Sequence, residues 1–467
     1  MNWRDELKNI VGSDSICRDP EKISQYFSAP VDSSELVVAT PSEPAQVIEI
    51  VKLAGRDKVP IFTINGRRLP PEATRRAGII LSFERLNRIL EIDPMNLHAI
   101  VEPGVTFADL QKALDRRPEE KLRLAFPALA DSESVLYSYL NRNITLRSPS
   151  LRGRILNISN YHVVLPGEGK VYKSGSHLVS EKDHFPEEQS YGPSINYLFY
   201  GMDDLLGVPI KAVVYLFPVQ EARKIIGWGF PDANTALTFL KTHCRSDRFL
   251  EAFLANRRFL SMILASEPGM KKNVELRLKL PTWIVGASLE GSEEFIQVTE
   301  DILQKSARDL RAEPLDLSLL PSLNKSLDRP WYQRDRDAFL GFSSVFPFYT
   351  TFGRVDDFEA TMRESIPKTG INQDNIGKLF IPLKQGRSIY CEYDFYLSPD
   401  DKNLATEREE IFTRLIQAGA LVDRPAGKLA AQVFNSNPAY LKLMREIKKQ
   451  VDPEGILNPH LFIKGAS

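Results

Sequence analysis

Apolar and polar residues alternate in short blocks along the first half of the chain, and these blocks predict alternating strands and helices. Apolar runs at 34–40 and 60–64 predict two strands, and an amphipathic stretch at 43–54 predicts a helix between them. After a turn, the run at 98–102 predicts another strand, and 106–114 predicts a helix with a threonine N-cap. This order favours α/β packing.

The pattern from about 219 to 425 is coarser and predicts an α+β domain with an antiparallel sheet. Its predicted elements are helices at 234–245, 246–266 and 292–310 and strands at 275–280 and 388–396. The Pro- and Leu-rich stretch 312–335 predicts a long surface loop, of a kind that is more often functional or partner-bound than decorative. Near the end of the chain, 438–451 predicts a helix.

The length of 467 residues predicts two or three domains at about 150 residues each. The changes of pattern divide the chain into a first domain at 1–218, a second at 219–425 and a C-terminal segment at 426–467.

Composition excludes several classes of protein. Hydrophobic residues make up 43% and charged residues 26%, as in an ordinary soluble globular protein. Because 60 Lys and Arg face 61 Asp and Glu, no net field favours nucleic acid or an anionic membrane as a partner. Neither a signal-peptide layout nor an apolar run of about 18 residues is visible, so we expect a soluble, cytoplasmic protein without a membrane span.

Common catalytic and metal motifs are missing from the sequence. Three scattered cysteines exclude a disulfide framework, and six histidines never fall at a metal-ligand spacing, so no metal site is predicted. Two arginine pairs, Arg67-Arg68 and Arg75-Arg76, bracket a short loop after the second strand. Two interpretations stay open for this loop: a solvated surface, or an anion-facing loop whose arginines meet phosphate.

Several segments, in the same order along the chain, resemble the FAD-linked oxidases, and most closely the vanillyl-alcohol oxidase and para-cresol methylhydroxylase branch. Among them are Glu102-Pro-Gly104, Tyr191-Gly-Pro193 and the C-terminal Asp452-Pro-Glu-Gly-Ile-Leu-Asn458. The segments that carry the resemblance are 59–64, 79–94, 99–110, 163–175, 191–199, 206–211 and 451–459.

The resemblance implies an α+β protein: an FAD-binding domain of two α/β subdomains, an α+β cap domain with an antiparallel sheet, and a C-terminal segment that returns to the first domain. It implies FAD as the cofactor. The residues that match its cofactor motifs are Asn65, Gly66, Arg67, Arg68, Glu102, Pro103, Gly104, Tyr191, Gly192, Gly207 and Asn458. The catalytic candidates are Arg142, Tyr349, Arg387 and Tyr390.

The departures from the family pattern lie along the cofactor path. In the phosphate loop, glycines are replaced by Pro70, Pro71 and Glu72, of which the prolines lack an amide donor. Tyr137 stands where the family has a glycine that passes close to the cofactor, although Arg142 of the same motif is retained. The usual glycine-rich turn before Gly207 contains the pair Asp203-Asp204.

Two hypotheses of different class therefore stay open. The first is an FAD-linked oxidoreductase that oxidises a small organic substrate, phenolic or a hydroxy acid, by hydride transfer to the flavin. The second is a degenerate paralogue that has lost FAD and serves as a non-catalytic subunit of an intact flavoprotein, or as a flavin-independent catalyst. The resemblance also implies a homodimer, or a hetero-oligomer with a related flavoprotein.

Overall fold

A computed structural model describes most of the chain. The described residues are 2–27, 31–64, 69, 73, 77–127, 129–142, 144–150, 157–179, 187–189, 192–264, 277–316, 318, 321, 343–396, 402–425 and 427–461. Within them, strands form sheets of four, five, two and eight strands. None of the described helices is long and apolar enough to cross a bilayer.

The first region of the fold runs to residue 218. Its elements are α1 (Trp3–Val11), β1 (Ile16–Cys17), α2 (Pro20–Ser24), β2 (Leu36–Ala39), α3 (Pro44–Asp57), β3 (Ile61–Thr63), β4 (Gly78–Leu81), β5 (Ile89–Asp93), β6 (His98–Val101), α4 (Phe107–Asp115), β7 (Leu122–Arg123), α5 (Val135–Asn141), β8 (Ile158–Val164), β9 (Val171–Lys173), β10 (Val208–Tyr215) and β11 (Phe217–Pro218).

Two sheets and the helices between them form this region. In the four-stranded sheet β1-β2-β4-β3, the strands β2, β4 and β3 run parallel. The five-stranded sheet β5-β6-β10-β8-β9 is antiparallel. Helix α3 begins with Pro44 after a capping box of Glu43 and Gln46, and it buries Val47 and Ile50. One apolar core joins this helix to both sheets.

The second region follows with larger elements. They are β12 (Ala222–Phe230), α6 (Ala233–Arg245), β13 (Glu251–Asn256), α7 (Arg257–Leu264), β14 (Trp283–Gly291), α8 (Glu293–Asp309), β15 (Glu313–Pro314), β16 (Ser343–Thr350), α9 (Val355–Ser365), β17 (Ile376–Leu383), β18 (Ser388–Tyr396), α10 (Lys402–Gln417), β19 (Leu421–Val422) and α11 (Gly427–Asn435). The last helix, α12, spans Pro438–Val451.

The eight-stranded sheet of the second region has the order β15-β12-β14-β13-β17-β18-β16-β19, and every pairing in it is antiparallel. Helices α6, α8, α9 and α10 supply side chains to the apolar core on one face. The opposite face packs on Ile144 and Leu146, which belong to the first region. The predicted α+β class with an antiparallel second sheet is confirmed.

Two predicted elements of the second region were wrong. The helix predicted at 246–266 is strand β13 followed by the short helix α7. Strand β13 is buried on both faces, so its continuous apolar run cannot be told from a buried helix by periodicity. The strand predicted at 275–280 is also wrong over its described part, because 277–279 is helical and the strand β14 begins only at Trp283.

The end of the chain returns to the first region. Ile61 of β3 donates its amide to the Ile456 carbonyl (2.8 Å), and the Asn458 amide donates to the Ile61 carbonyl (2.9 Å). The buried Lys448 ammonium donates to Asp452 Oδ2 and to the carbonyls of Leu205 and Leu457. The C-terminal segment thereby completes the edge of the four-stranded sheet. The predicted domain limits at 218 and 425 stay predictions.

Candidate active site

Arg142 lies at the C-terminal end of α5, where the first region faces the eight-stranded sheet. Ser134 caps this helix by accepting a hydrogen bond from the Tyr137 amide at 3.2 Å, and every residue of the helix is buried. The Arg142 side chain, 20% exposed, extends from the helix end toward strands of the second region. A buried and capped helix therefore holds this guanidinium in place.

The second region presents two tyrosines and two carboxylates to Arg142. Tyr349 on β16 lies opposite Tyr390 on β18, and their rings meet edge to face with centroids 5.7 Å apart. Glu392 lies two residues beyond Tyr390 and so projects from the same face of the sheet. Asp423 directly follows β19, which pairs with β16. We call these five residues the Arg142 cluster.

Hydrogen bonds connect all five members of the Arg142 cluster. The Arg142 guanidinium donates through Nε to Asp423 Oδ2 (3.2 Å) and through Nη2 to the Tyr390 hydroxyl. It also lies 3.6 Å from Glu392 Oε2. The Tyr390 hydroxyl donates to Glu392 Oε2 at 2.6 Å, and the Tyr349 hydroxyl donates to Asp423 Oδ1 at 3.2 Å. Each tyrosine proton thus points at a carboxylate.

Burial fixes the charge states in this cluster. It raises the pKa of both tyrosines well above the ordinary value, and the neighbouring acids Asp423 and Glu392 add to the effect. Burial disfavours the charged form of Arg142. The attraction of the guanidinium to Tyr390 and Asp423 is stronger than this effect and raises the pKa of Arg142. At neutral pH the site therefore holds neutral tyrosine hydroxyls and a charged guanidinium.

A second group of buried polar side chains lies beside the Arg142 cluster. It consists of Thr63, Tyr137, Asn141 and Asp204, and we call it the Asp204 corner. Asp203 links the two groups, because its carboxylate pairs with Arg424, the residue after Asp423. Asp203 and Asp204 both have left-handed backbone, with φ of 48° and 58°. The family pattern has glycines in this turn, and glycine adopts positive φ without strain. Here two aspartates adopt it instead, so the backbone of the turn is strained.

Several polar atoms of the Asp204 corner make no hydrogen bond of good geometry among the described residues. They are the Tyr137 hydroxyl, Asn141 Nδ2 and both carboxyl oxygens of Asp204. Tyr137 and Asp204 are 2% and 0% exposed, so water does not reach them freely. Burial raises the pKa of Asp204 to about 7, against weaker opposing contacts from Thr63 and Tyr137. Buried atoms without partners mark a place where a polar ligand would be stabilised.

The structure brings three of the four predicted catalytic candidates together: Arg142, Tyr349 and Tyr390. Arg387 lies apart from them, exposed at the turn between β17 and β18. Glu392 and Asp423 were not predicted. Glu392 could have been found from its spacing, since residues two apart on a strand share a face. Asp423 reaches the cluster only because β19 pairs with β16, and no local sequence pattern predicts that pairing.

The predicted cofactor residues that the structure describes have mixed surroundings. Glu102 forms an ion pair with Arg88, and the Pro103 carbonyl accepts from the Ser134 hydroxyl (2.5 Å). Gly104 lets the chain approach the Phe83 carbonyl, which a Cβ would meet at 2.0 Å. Asn458 bonds Thr63 and the Asp203 carbonyl at 2.9 Å each, next to the Asp204 corner.

Two further glycines complete this set. Gly207 packs against Val163, and Gly192 is exposed with φ 69°. The predicted residues Asn65, Gly66, Arg67, Arg68 and Tyr191 lie outside the described residues, as do Pro70 and Pro71.

Comparisons with known proteins agree on one family. Residues 36–174 match the family described as FAD binding domain. The flavoprotein subunit of 4-cresol dehydrogenase [hydroxylating] from Pseudomonas putida is 32% identical over 97% of this chain and 94% of its own. Glycolate oxidase subunit GlcD of Bacillus subtilis is 28% identical, but that match spans only 43% of this chain and 40% of the relative. The crystal structure of p-cresol methylhydroxylase with substrate bound superimposes with a TM-score of 0.81 at 19% identity, over 99% of this chain and 96% of that one.

The chain belongs to the FAD-linked oxidoreductase family. Its predicted resemblance to the para-cresol methylhydroxylase branch and the predicted fold are confirmed, and FAD is the cofactor that the family match and the flavoprotein neighbours support. The unpartnered atoms of the Asp204 corner fit such a group. The Tyr137 hydroxyl, Asn141 Nδ2 and a protonated Asp204 are donors for the polar atoms of a bound dinucleotide. These donors are the described groups that would hold FAD at this corner.

Proposed function

We propose that this protein oxidises a small phenol in an FAD-linked reaction at the Arg142 cluster. The observation that carries the proposal is the reach of Arg142 from the first region to Tyr390 and Glu392 of the second. A guanidinium next to a hydrogen-bonded tyrosine and carboxylate suits a substrate whose hydroxyl must be held and deprotonated.

The lining of the site favours an aromatic substrate. A cavity beside the cluster has four apolar lining residues, Pro127, Leu129, Ile144 and Ile381, and three polar ones, which are Arg142, Tyr390 and Glu392. An aromatic ring with one hydroxyl matches a mainly apolar wall with a single polar end better than a 2-hydroxy acid does. The cavity is about 10 Å³, roughly the space of one water, so a substrate must displace side chains on entry.

The residues of the cluster then have separate roles. The Arg142 guanidinium stabilises the phenolate oxygen. Glu392 accepts a hydrogen bond from the Tyr390 hydroxyl at 2.6 Å. It is therefore placed to take up the substrate proton after Tyr390 has passed on its own proton and received that of the substrate. When bound, FAD supplies the two-electron acceptor. Tyr349 and Asp423 hold Arg142 from the other side and keep it oriented.

The test is anaerobic bleaching of the flavin absorbance in the full-length protein loaded with FAD. We expect 4-cresol to bleach it and glycolate and D-lactate to leave it unchanged. Tyr390→Phe and Glu392→Gln should slow bleaching about 100-fold or more, as expected for the loss of a proton-transfer group. Arg387→Ala, a change at an exposed arginine, serves as the control and should bleach like the wild type. Bleaching by the hydroxy acids alone would overturn the phenol proposal.

A second candidate function has one observation in its favour. The Tyr137 ring, at a position where the family has glycine, is 2% exposed and packs on Phe83 with centroids 5.6 Å apart. If this ring takes cofactor volume, the chain acts without FAD as the subunit of a related flavoprotein. Titration with FAD separates the two functions. Uptake of about one FAD per chain by the wild type supports the oxidase, whereas uptake only by Tyr137→Gly supports the cofactor-free subunit.

A further inference from the structure

The turn between β5 and β6 brings three metal-binding side chains together at the edge of the five-stranded sheet. Asp93 and His98 are direct partners in the antiparallel register, and Glu91 lies two residues before Asp93. All three side chains therefore project from one face of the sheet. One potential ligand atom from each lies within 4.8 Å of the others. The group is remote in sequence from the Arg142 cluster.

Of the three, His98 is the residue that indicates a ligand. It is 1% exposed, yet neither ring nitrogen has a hydrogen-bond partner among the described residues. A buried imidazole with two unsatisfied nitrogens is costly, since buried polar groups nearly always find a partner. One of its nitrogens is among the atoms that face the two carboxylates. A cation held between them would satisfy this nitrogen.

Asp93 is already held in place for such a role. Its Oδ1 accepts hydrogen bonds from the amides of Met95 (2.8 Å) and Asn96 (3.0 Å), and its Oδ2 accepts from Asn96 Nδ2 (2.6 Å). A carboxylate has about four acceptor positions, so the turn leaves one for a metal. Glu91 is exposed and can swing inward.

We propose that Glu91, Asp93 and His98 form a binding site for a divalent transition-metal ion of the zinc type. One imidazole and two carboxylates are ligands that Zn²⁺ accepts, with a water in the fourth position on the exposed side. Metal–ligand distances of about 2.0–2.2 Å require the three side chains to move slightly closer, and the exposed side chain of Glu91 has room to do so. The histidine spacing along the chain did not predict this site, because strand pairing rather than sequence proximity assembles it.

The metal would fasten the β5–β6 turn. Strand β6 leads directly into Glu102 and Gly104, which pack against Arg88 and Phe83. A clamp at one end of β6 would restrict the motion of this whole segment. The site is therefore structural, and its test does not depend on the proposed oxidation.

The experiment is calorimetric titration of Zn²⁺ into the full-length protein after treatment with EDTA. We expect about one Zn²⁺ per chain and a rise in melting temperature, because an ion that binds only the folded state stabilises it. Glu91→Gln removes one ligand at an exposed position and should weaken zinc binding about 10-fold or more without loss of folding. Glu119→Gln, another exposed glutamate, is the matched control and should bind zinc like the wild type.

Either of two results would overturn this proposal. One is the absence of zinc binding by the wild type. The other is equal zinc affinity in Glu91→Gln and Glu119→Gln, which would place the ion at another histidine or at a cysteine. A zinc-edge anomalous difference map of a soaked crystal gives an independent reading, with the peak expected between Glu91 and His98.

Discussion

The Arg142 cluster and the Asp204 corner are neighbours, but they differ in how completely their polar atoms are hydrogen bonded. In the cluster, Arg142 and two tyrosines satisfy two carboxylates through bonds of 2.6–3.2 Å. In the corner, Tyr137, Asn141 and Asp204 keep polar atoms that make no hydrogen bond of good geometry in the described structure. A fully hydrogen-bonded buried network holds its members in one arrangement without a ligand, whereas an unsatisfied one is relieved when a ligand binds. The difference indicates that the cluster joins the two regions, and it favours the corner as the place where a polar ligand would be stabilised.

Removal of the shared cation should break the cluster. Arg142→Met would leave Glu392 and Asp423 buried without their cation, and we expect a loss of about 3–5 kcal/mol in the free energy of unfolding. Urea unfolding measures this loss. Arg387→Met removes an exposed arginine and should stay within about 0.5 kcal/mol of the wild type. A loss below about 1 kcal/mol in Arg142→Met would contradict the role of the cluster as a junction.

The buried carboxyl of Asp204 in the corner should make the stability of the protein depend on pH. The carboxyl of Asp204 has a pKa of about 7 in the folded chain but near 3.8 when exposed. Between these values the folded protein binds the additional proton, so the free energy of unfolding falls as pH rises, by up to about 4 kcal/mol, and levels off above pH 7.

Asp204→Asn should flatten this profile and stabilise the cofactor-free protein at pH 8. Asp14→Asn, at an exposed position, should leave it unchanged. Denaturant midpoints at pH 5 and pH 8 provide the measurement. A parallel fall with pH in the wild type and in Asp204→Asn would show that another group causes it.

The smallest expected effect concerns the hydroxyl of Tyr137. Tyr137→Phe removes a buried hydroxyl that makes no hydrogen bond of good geometry and keeps the ring, so the cofactor-free protein should gain about 1 kcal/mol in stability. The same change should weaken FAD binding, since a donor for the cofactor is lost. Thermal melts with and without FAD test both effects. If Tyr137→Phe destabilises the cofactor-free protein, the hydroxyl has a partner there and the contrast between the two groups fails.

Much of the fold could be predicted from the sequence, because the strands and helices of the first region have clear periodicity and turn residues. It also named Arg142, Tyr349 and Tyr390, although the first came from a motif and the others from an aromatic pattern. Asp423 was missed because its contact with Tyr349 joins residues 74 apart. Strand β13 was misread as a helix because a strand buried on both faces loses the alternation that identifies strands.

The return of the C-terminal segment to β3 has a consequence for synthesis of the protein. Ile61 takes its backbone partners from Ile456 and Asn458, so the edge of the four-stranded sheet cannot close until nearly the whole chain has left the ribosome. Contacts this distant in sequence are entropically costly to form and slow folding. Until then β3 has an unpaired edge, and such an edge makes an incompletely folded chain prone to aggregation.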